Sequence, residues 1–326
     1  MKNEKNDTKL EVGKLPDQYK SSGKLNTKYY LIIPALICGC LVWFAYNQWQ
    51  NPPELQKTPE SLLPKERVWW MPDLLKTLPA LADGFRSEKY LERYNMSTCL
   101  IEGNFEKTAA AVSCYLLNPE NYAKNNKSIS TDTVGHGFCG NSPPLSLYSW
   151  GDWKKYLSKP MRKLVMIQQP LERFVRQFSE FCVRQKICFD CGTDVACFLR
   201  KIKKDLEKIA EGLKGNIRTP LTRVFSPQSW YCHLNHHLRE YEFIKLGGNS
   251  TEKEEYINQW TTILEKQGVK ENLLENIKNE INKIAMELTT DDMKLYANIR
   301  KDVDLFRLFR QVYEYDYLIF GYSLEV

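Results

Sequence analysis

The chain reads as an α/β protein, a parallel sheet flanked by helices, because short apolar β-forming runs alternate with longer amphipathic ones. Three stretches carry this reading. Leu164 to Ile167 is an apolar run that ends at Pro170, after which Phe174, Phe178 and Cys182 recur at helical spacing, predicting a strand and then a helix over 171–186. Ser97 to Glu102 reads as a buried strand leading into a helix over 107–117. Tyr241 to Leu246 reads as a third strand, followed by helical patterns over 252–267, 271–287 and 291–314.

The segments before this domain differ in kind. Residues 1–28 are polar, hold seven lysines and no arginine, and predict a disordered cytosolic tail. Residues 29–46 contain no charged side chain and are just long enough to cross a bilayer core, which takes about 20 apolar residues. Lysines on the amino-terminal flank and aromatic residues at both ends (Tyr29, Tyr30, Trp43, Tyr46) predict a single-pass type II anchor with a cytoplasmic amino terminus. A cleaved signal peptide is the competing reading; the long preceding segment and the missing small-residue cleavage site count against it. Proline-rich residues 47–90 read as a stem, and 91–326 as one luminal domain.

A luminal domain fits three glycosylation tripeptides, at Asn95, Asn126 and Asn249. It also fits eight luminal cysteines: Cys99, Cys114, Cys139, Cys182, Cys188, Cys191, Cys197 and Cys232. An even number in an oxidising compartment predicts disulfides. A zinc pair at Cys188 and Cys191 is the alternative, but no second C-x-x-C pair accompanies it, and no metal is expected.

The formal net charge of +6 is modest, but thirteen Lys/Arg residues crowd into 154–204. A basic face of that kind suits an anionic glycan or a nucleotide phosphate, with a solvated surface as the plain alternative. Compartment argues against nucleic acid. A strand, tight loop and helix start aims backbone N–H groups at an anion. The junction within 163–178 is therefore a candidate anion site, with Arg173 and Arg176 as cationic forks near the helix start.

This junction, Gln168-Gln-Pro-Leu-Glu-Arg-Phe-Val-Arg-Gln-Phe178, resembles a nucleotide-binding motif of the Golgi carbohydrate sulfotransferases, in particular their nematode-type branch. That family reads roughly Arg-Asp-Pro-x-x-Arg-x-x-Ser-x-Phe and holds the 3′-phosphate of the sulfate donor PAPS there. This chain keeps Pro170, Arg173 and Phe178. It has Gln168 and Gln169 in place of Arg-Asp, and Arg176 in place of Ser. Ser97 to Lys107 is similar to the motif for the donor's 5′-phosphosulfate, with Gly103 where the family has lysine and Glu106-Lys107 where it has Ser-Thr. The segments Phe225–Cys232, Tyr241–Lys245 and Tyr313–Tyr322 match later family motifs in order.

The resemblance implies a P-loop-like sulfotransferase domain in the Golgi lumen that moves sulfuryl from PAPS to a sugar hydroxyl of a glycosaminoglycan such as chondroitin. It places Asn104, Lys107, Arg173 and Arg176 at the donor. His236, His237 and Glu102 are the candidates for the base that takes the acceptor proton. The altered motif positions keep open a membrane-anchored, glycan-binding relative that has lost catalysis.

Overall fold

The computed structural model describes residues 76–82, 84–85, 87–131, 161–212 and 218–324. The expected tail, the anchor and most of the stem lie outside the described residues. No described helix is long and apolar enough to cross a membrane.

Among the described residues four strands form one sheet in the order β1 (Glu88–Leu91), β2 (Met96–Cys99), β3 (Arg162–Gln168) and β4 (Tyr241–Leu246). The pairs β2–β3 and β3–β4 are parallel, with Cys99 opposite Val165 and Gln168 opposite Leu246. β1 runs antiparallel to β2, Glu88 facing Cys99. The sheet is thus mixed rather than wholly parallel. The reversal follows from the short connection through Glu92–Tyr94, where Asn95 sits at φ 48° and turns the chain straight back. A parallel return needs a crossover of a dozen or more residues.

Side chains alternate across the sheet, so each face acquires its own core. Val165 and Ile167 pack with Leu171, Phe174, Val175 and Phe178 of α3 (Pro170–Phe178). The same cluster takes in α4 (Val195–Ala210) and the carboxyl-terminal helix. Leu164 and Met166 on the other face pack with α1 (Glu106–Leu117), which is followed by the short α2 (Pro119–Lys124). After the short α5 (Pro220–Val224) and α6 (Leu234–His237) come α7 (Ser250–Lys266) and α8 (Glu271–Asn282), which complete that second face. The described residues at the end of the segment read as a stem (47–90) also contribute core: Leu78, Phe85 and Tyr90 are buried.

Two expected helices are revised. The pattern over 291–314 is two helices, α9 (Thr290–Lys301) and α10 (Val303–Phe320). They break at Asp302, whose carboxylate accepts from the N–H groups of Asp304 and Leu305, as an N-cap does. α3 passes into a π-helical turn at Ser179–Arg184 instead of continuing as α-helix to 186.

Disulfides join Cys99 to Cys232, Cys182 to Cys188 and Cys191 to Cys197, and Cys114 is disulfide-bonded as well. Cys188 and Cys191 therefore belong to separate bridges, which rules out their use as a zinc pair. Among the described residues of the basic stretch, the cations do not form one face. Arg162 and Lys163 pair with Glu242 and Glu240, Lys203 pairs with Glu207, and Arg173 is buried in the core.

Candidate functional site

The three parallel strands end along one edge of the sheet, where an open α/β sheet offers its crevice. A cleft of about 570 Å³ opens there against the first junction, between β2 and α1, and against α3. Its walls include Glu102, Gly103, Phe105, Glu106 and Lys107 from the β2–α1 connection, and Arg176 and Gln177 from α3. Glu180, Phe181, Arg184 and Gln185 also line it, as do Ser130 and Thr131.

The loop between β2 and α1 takes this shape because Gly103 (φ 87°) and Phe105 (φ 53°) both adopt left-handed backbone. Phe105 is the N-cap residue of α1 and supplies no side-chain acceptor. Glu106 fills that role from inside the helix. Its carboxylate folds back and accepts the Gly103 N–H at 3.0 Å, and its own N–H as well. Burial raises the proton affinity of this carboxyl, and Glu102 nearby adds to the effect. The amide that would meet an external anion meets the chain's own anion instead.

Glu102 is held twice. Its carbonyl accepts from Arg173 Nη2 at 2.7 Å, and its carboxylate pairs with Arg223 through Nε at 2.6 Å and through Nη2. Glu102 lines the cleft, and the Arg223 ion pair engages one of its two carboxylate oxygens, Oε1. Arg223 stands in a stretch with no periodic or motif signal, and the sequence pattern does not single it out.

Arg173 is only 2% exposed and does not line the cleft. Its guanidinium donates to the carbonyls of Ser226 (2.9 Å), Val224 (2.6 Å) and Glu102 (2.7 Å). It braces the first loop against the 224–226 segment. Arg176 does reach the cleft. It lies 5.1 Å from the Phe105 ring centroid and donates to the carbonyls of Met286 and Glu287 just beyond α8. Lys107 is exposed on the same wall and makes no ion pair or hydrogen bond among the described residues. Lys107 and Arg176 converge; Arg173 lies behind them.

Asn104 turns inward. Its side-chain N–H donates to the Met166 carbonyl (2.9 Å) and to Gln228 Oε1 (2.6 Å). Gln228 also accepts from the Gln168 N–H and donates to the Gln168 carbonyl. The buried Asp316 carboxylate accepts from the N–H groups of Gln228 and Ser229. This buried network fastens both junctions to α10. At the second junction, Gln169 caps α3 by accepting the Glu172 N–H at 2.7 Å and donates to Tyr317 Oη at 3.1 Å. The Gln168 side chain is fully buried, with neither polar atom bonded.

The two histidines lie elsewhere. His237 Nδ1 is 2.7 Å from Glu240, which pairs with Lys163 at the start of β3. The cleft is at the other end of that strand, about 16 Å away at 3.3 Å per residue. Proximity to Cys232 in sequence does not carry His236 and His237 to the cleft, because the chain must travel to the amino-terminal end of the sheet to begin β4.

Strand–loop–helix junctions at the carboxyl edge of a mixed sheet, opening on a cleft, are where open α/β proteins place their ligands. A profile of the Sulfotransferase family matches residues 89–323, and the chain belongs to this family. Carbohydrate sulfotransferase chst-1 of Caenorhabditis elegans is 23% identical over 258 residues, 76% of this chain and 78% of the relative. From the same organism, vep-2 is 27% identical over 206 residues (59% and 62%) and the uncharacterized protein C18B2.2 is 26% identical over 200 residues (58% and 54%). No solved structure matches.

Membership implies PAPS as the sulfate donor, and the residues present do not fit it. The Gly103 amide is taken by Glu106, Gln168 is buried away from the cleft, and both Nη groups of Arg176 are engaged by carbonyls.

Proposed function

We propose that this chain is a glycan-recognising member of the carbohydrate sulfotransferases whose cleft receives a sugar chain while its donor loop stays closed. The observation that carries this reading is the Glu106 carboxylate seated on the Gly103 amide: a carboxylate at that point repels a phosphosulfate. The cleft beside it has the lining a sugar takes, with the rings of Phe105 and Phe181 next to the polar groups of Ser130, Thr131, Gln177 and Gln185. Lys107 and Arg176 bias it towards an anionic glycan such as chondroitin sulfate.

Localisation in the Golgi lumen behind a type II anchor at residues 29–46 is part of the same proposal. It is supported by the disulfides and by the exposure of Asn95, Asn126 and Asn249, the three glycosylation positions.

A second reading, sulfuryl transfer from PAPS to a glycosaminoglycan hydroxyl, is favoured by one observation: Lys107 and Arg176 share the cleft. Calorimetric titration of the detergent-solubilised full-length protein separates the two. The proposal expects binding of a chondroitin oligosaccharide and no binding of the nucleotide product PAP up to about 1 mM, an affinity near −4 kcal/mol. Micromolar PAP affinity would overturn it in favour of transfer.

A further inference from the structure

The misfit of the donor has two separable origins. At the second junction the ligand types themselves are altered: Gln168 is buried and Gln169 is committed to capping α3. At the first junction the scaffold is present. Gly103 keeps its left-handed backbone, α1 starts with no N-cap side chain, and Lys107 stands exposed beside it on the cleft wall. One side chain fills the place of the anion.

We infer that Glu106 is a built-in competitor that shuts an otherwise intact anion seat formed by the Gly103 amide and the first turn of α1. The argument is one of satisfied donors. The first amides of a helix lack intrahelical partners and are met by a cap, by water or by a ligand. Here the carboxylate of the first helical residue accepts its own N–H and, at 3.0 Å, the N–H of Gly103 in the loop that enters the helix. Removing that carboxylate leaves the same amides facing a cleft of about 570 Å³, with the positive end of the α1 dipole behind them.

The charges around the seat favour an external anion once Glu106 is gone. Glu102 is neutralised by Arg223, and Glu180 by Arg184 at the rim. Lys107 is exposed and makes no ion pair among the described residues, while Arg176 on the same wall is acted on by Asp292, Glu172 and Glu287. Gln177 lies against the loop and donates to the Gly103 carbonyl at 3.2 Å, which helps the loop keep its shape after the substitution.

The inference rests on the closed-loop reading above, and its test is chosen to fail separately. Inorganic sulfate is the probe, because it stays dianionic across the working pH range and occupies only the first seat. Binding to the full-length protein is measured by calorimetry for wild type and for Glu106→Ser. The variant is expected to bind sulfate about tenfold tighter than wild type, the size of a charge-assisted contact exchanged for a repulsive one. Adding Lys107→Met to that variant reverses most of the gain. PAP gains no more than sulfate does, because the second junction is unchanged.

Glu106→Gln keeps the carbonyl that accepts from Gly103 while removing the charge, and it gives a smaller gain in the same direction. It serves as the test if the serine variant does not fold. Equal sulfate affinity in wild type and in a folded Glu106 variant would overturn the inference. Chondroitin oligosaccharide binding, measured on the same samples, reports on the proposed function independently.

Discussion

The two strand–loop–helix junctions start from the same local geometry and end in opposite conditions. The β2–α1 loop faces the cleft, keeps left-handed backbone at Gly103 and Phe105, and satisfies its amide with the Glu106 carboxylate. The β3–α3 junction is sunk into the core: Gln168 is fully buried, Gln169 is the N-cap, and Arg173 spends its guanidinium on three carbonyls. The first is a site masked by one residue. The second has become part of the framework. An anion-binding geometry is therefore only a supply of donors, and what occupies them decides whether a ligand can enter.

If the first junction depends on being tied down, cutting its anchor gives the largest effect. The Cys99–Cys232 disulfide closes a sequence separation of 133 residues at the end of β2. The double Cys→Ser variant is expected to lose about 5 kcal/mol on a chain-entropy estimate, read by urea denaturation. A loss below about 1 kcal/mol would mean that the loop is held by its hydrogen bonds alone.

Next comes the brace between the junctions. Arg173→Met leaves the carbonyls of Ser226, Val224 and Glu102 without their shared donor in a buried place. The expected cost is about 4 kcal/mol in stability, since unsatisfied buried groups carry the full desolvation penalty. A phosphate-binding Arg173 would instead leave stability nearly unchanged and weaken nucleotide binding, so denaturation midpoints distinguish brace from ligand.

The smallest effect is electrostatic and belongs to the second junction. Burial, with Glu252 nearby, raises the Glu172 carboxyl from 4.5 to about 7. The folded state then holds this proton more tightly than the unfolded state. Its contribution to stability is greatest at low pH, falls as pH climbs from about 4.5 to about 7, and levels off above that. Glu88, raised to about 7 by burial, acts in the same window. Glu172→Gln is expected to flatten part of the slope and to stabilise the protein by about 1 kcal/mol at pH 8, a figure discounted for partial exposure. An unchanged stability–pH profile would show that Glu172 is more hydrated than its packing suggests.

Much of the fold was legible because periodicity is local. β4 occupies the predicted stretch, β3 extends the expected run by a few residues, and α1, α3 and α7 begin within two residues of the expected starts. α4 was harder to see: Val195, Phe198, Leu199, Ile202, Leu206 and Ile209 keep helical spacing, but they begin inside a cysteine-rich turn. Asp302 cut an otherwise continuous apolar pattern, because a cap acts through one carboxylate and leaves the periodicity intact.

By itself the sequence determined the family, the alternation of strands and helices, the two junctions and the substitutions within them. All of these are properties of residue type and spacing along the chain. Tertiary structure alone decided which way each charged group turned. Arg173 faces carbonyls and Arg176 the cleft, though they lie one helical turn apart. Glu102 is taken by Arg223, 121 residues away. His236 and His237 stand at the opposite end of the sheet from the cleft, and Glu106 sits where an anion would. The physical reason is that a buried charge goes to whatever partner the packed fold brings within about 3 Å, and no local pattern specifies that partner.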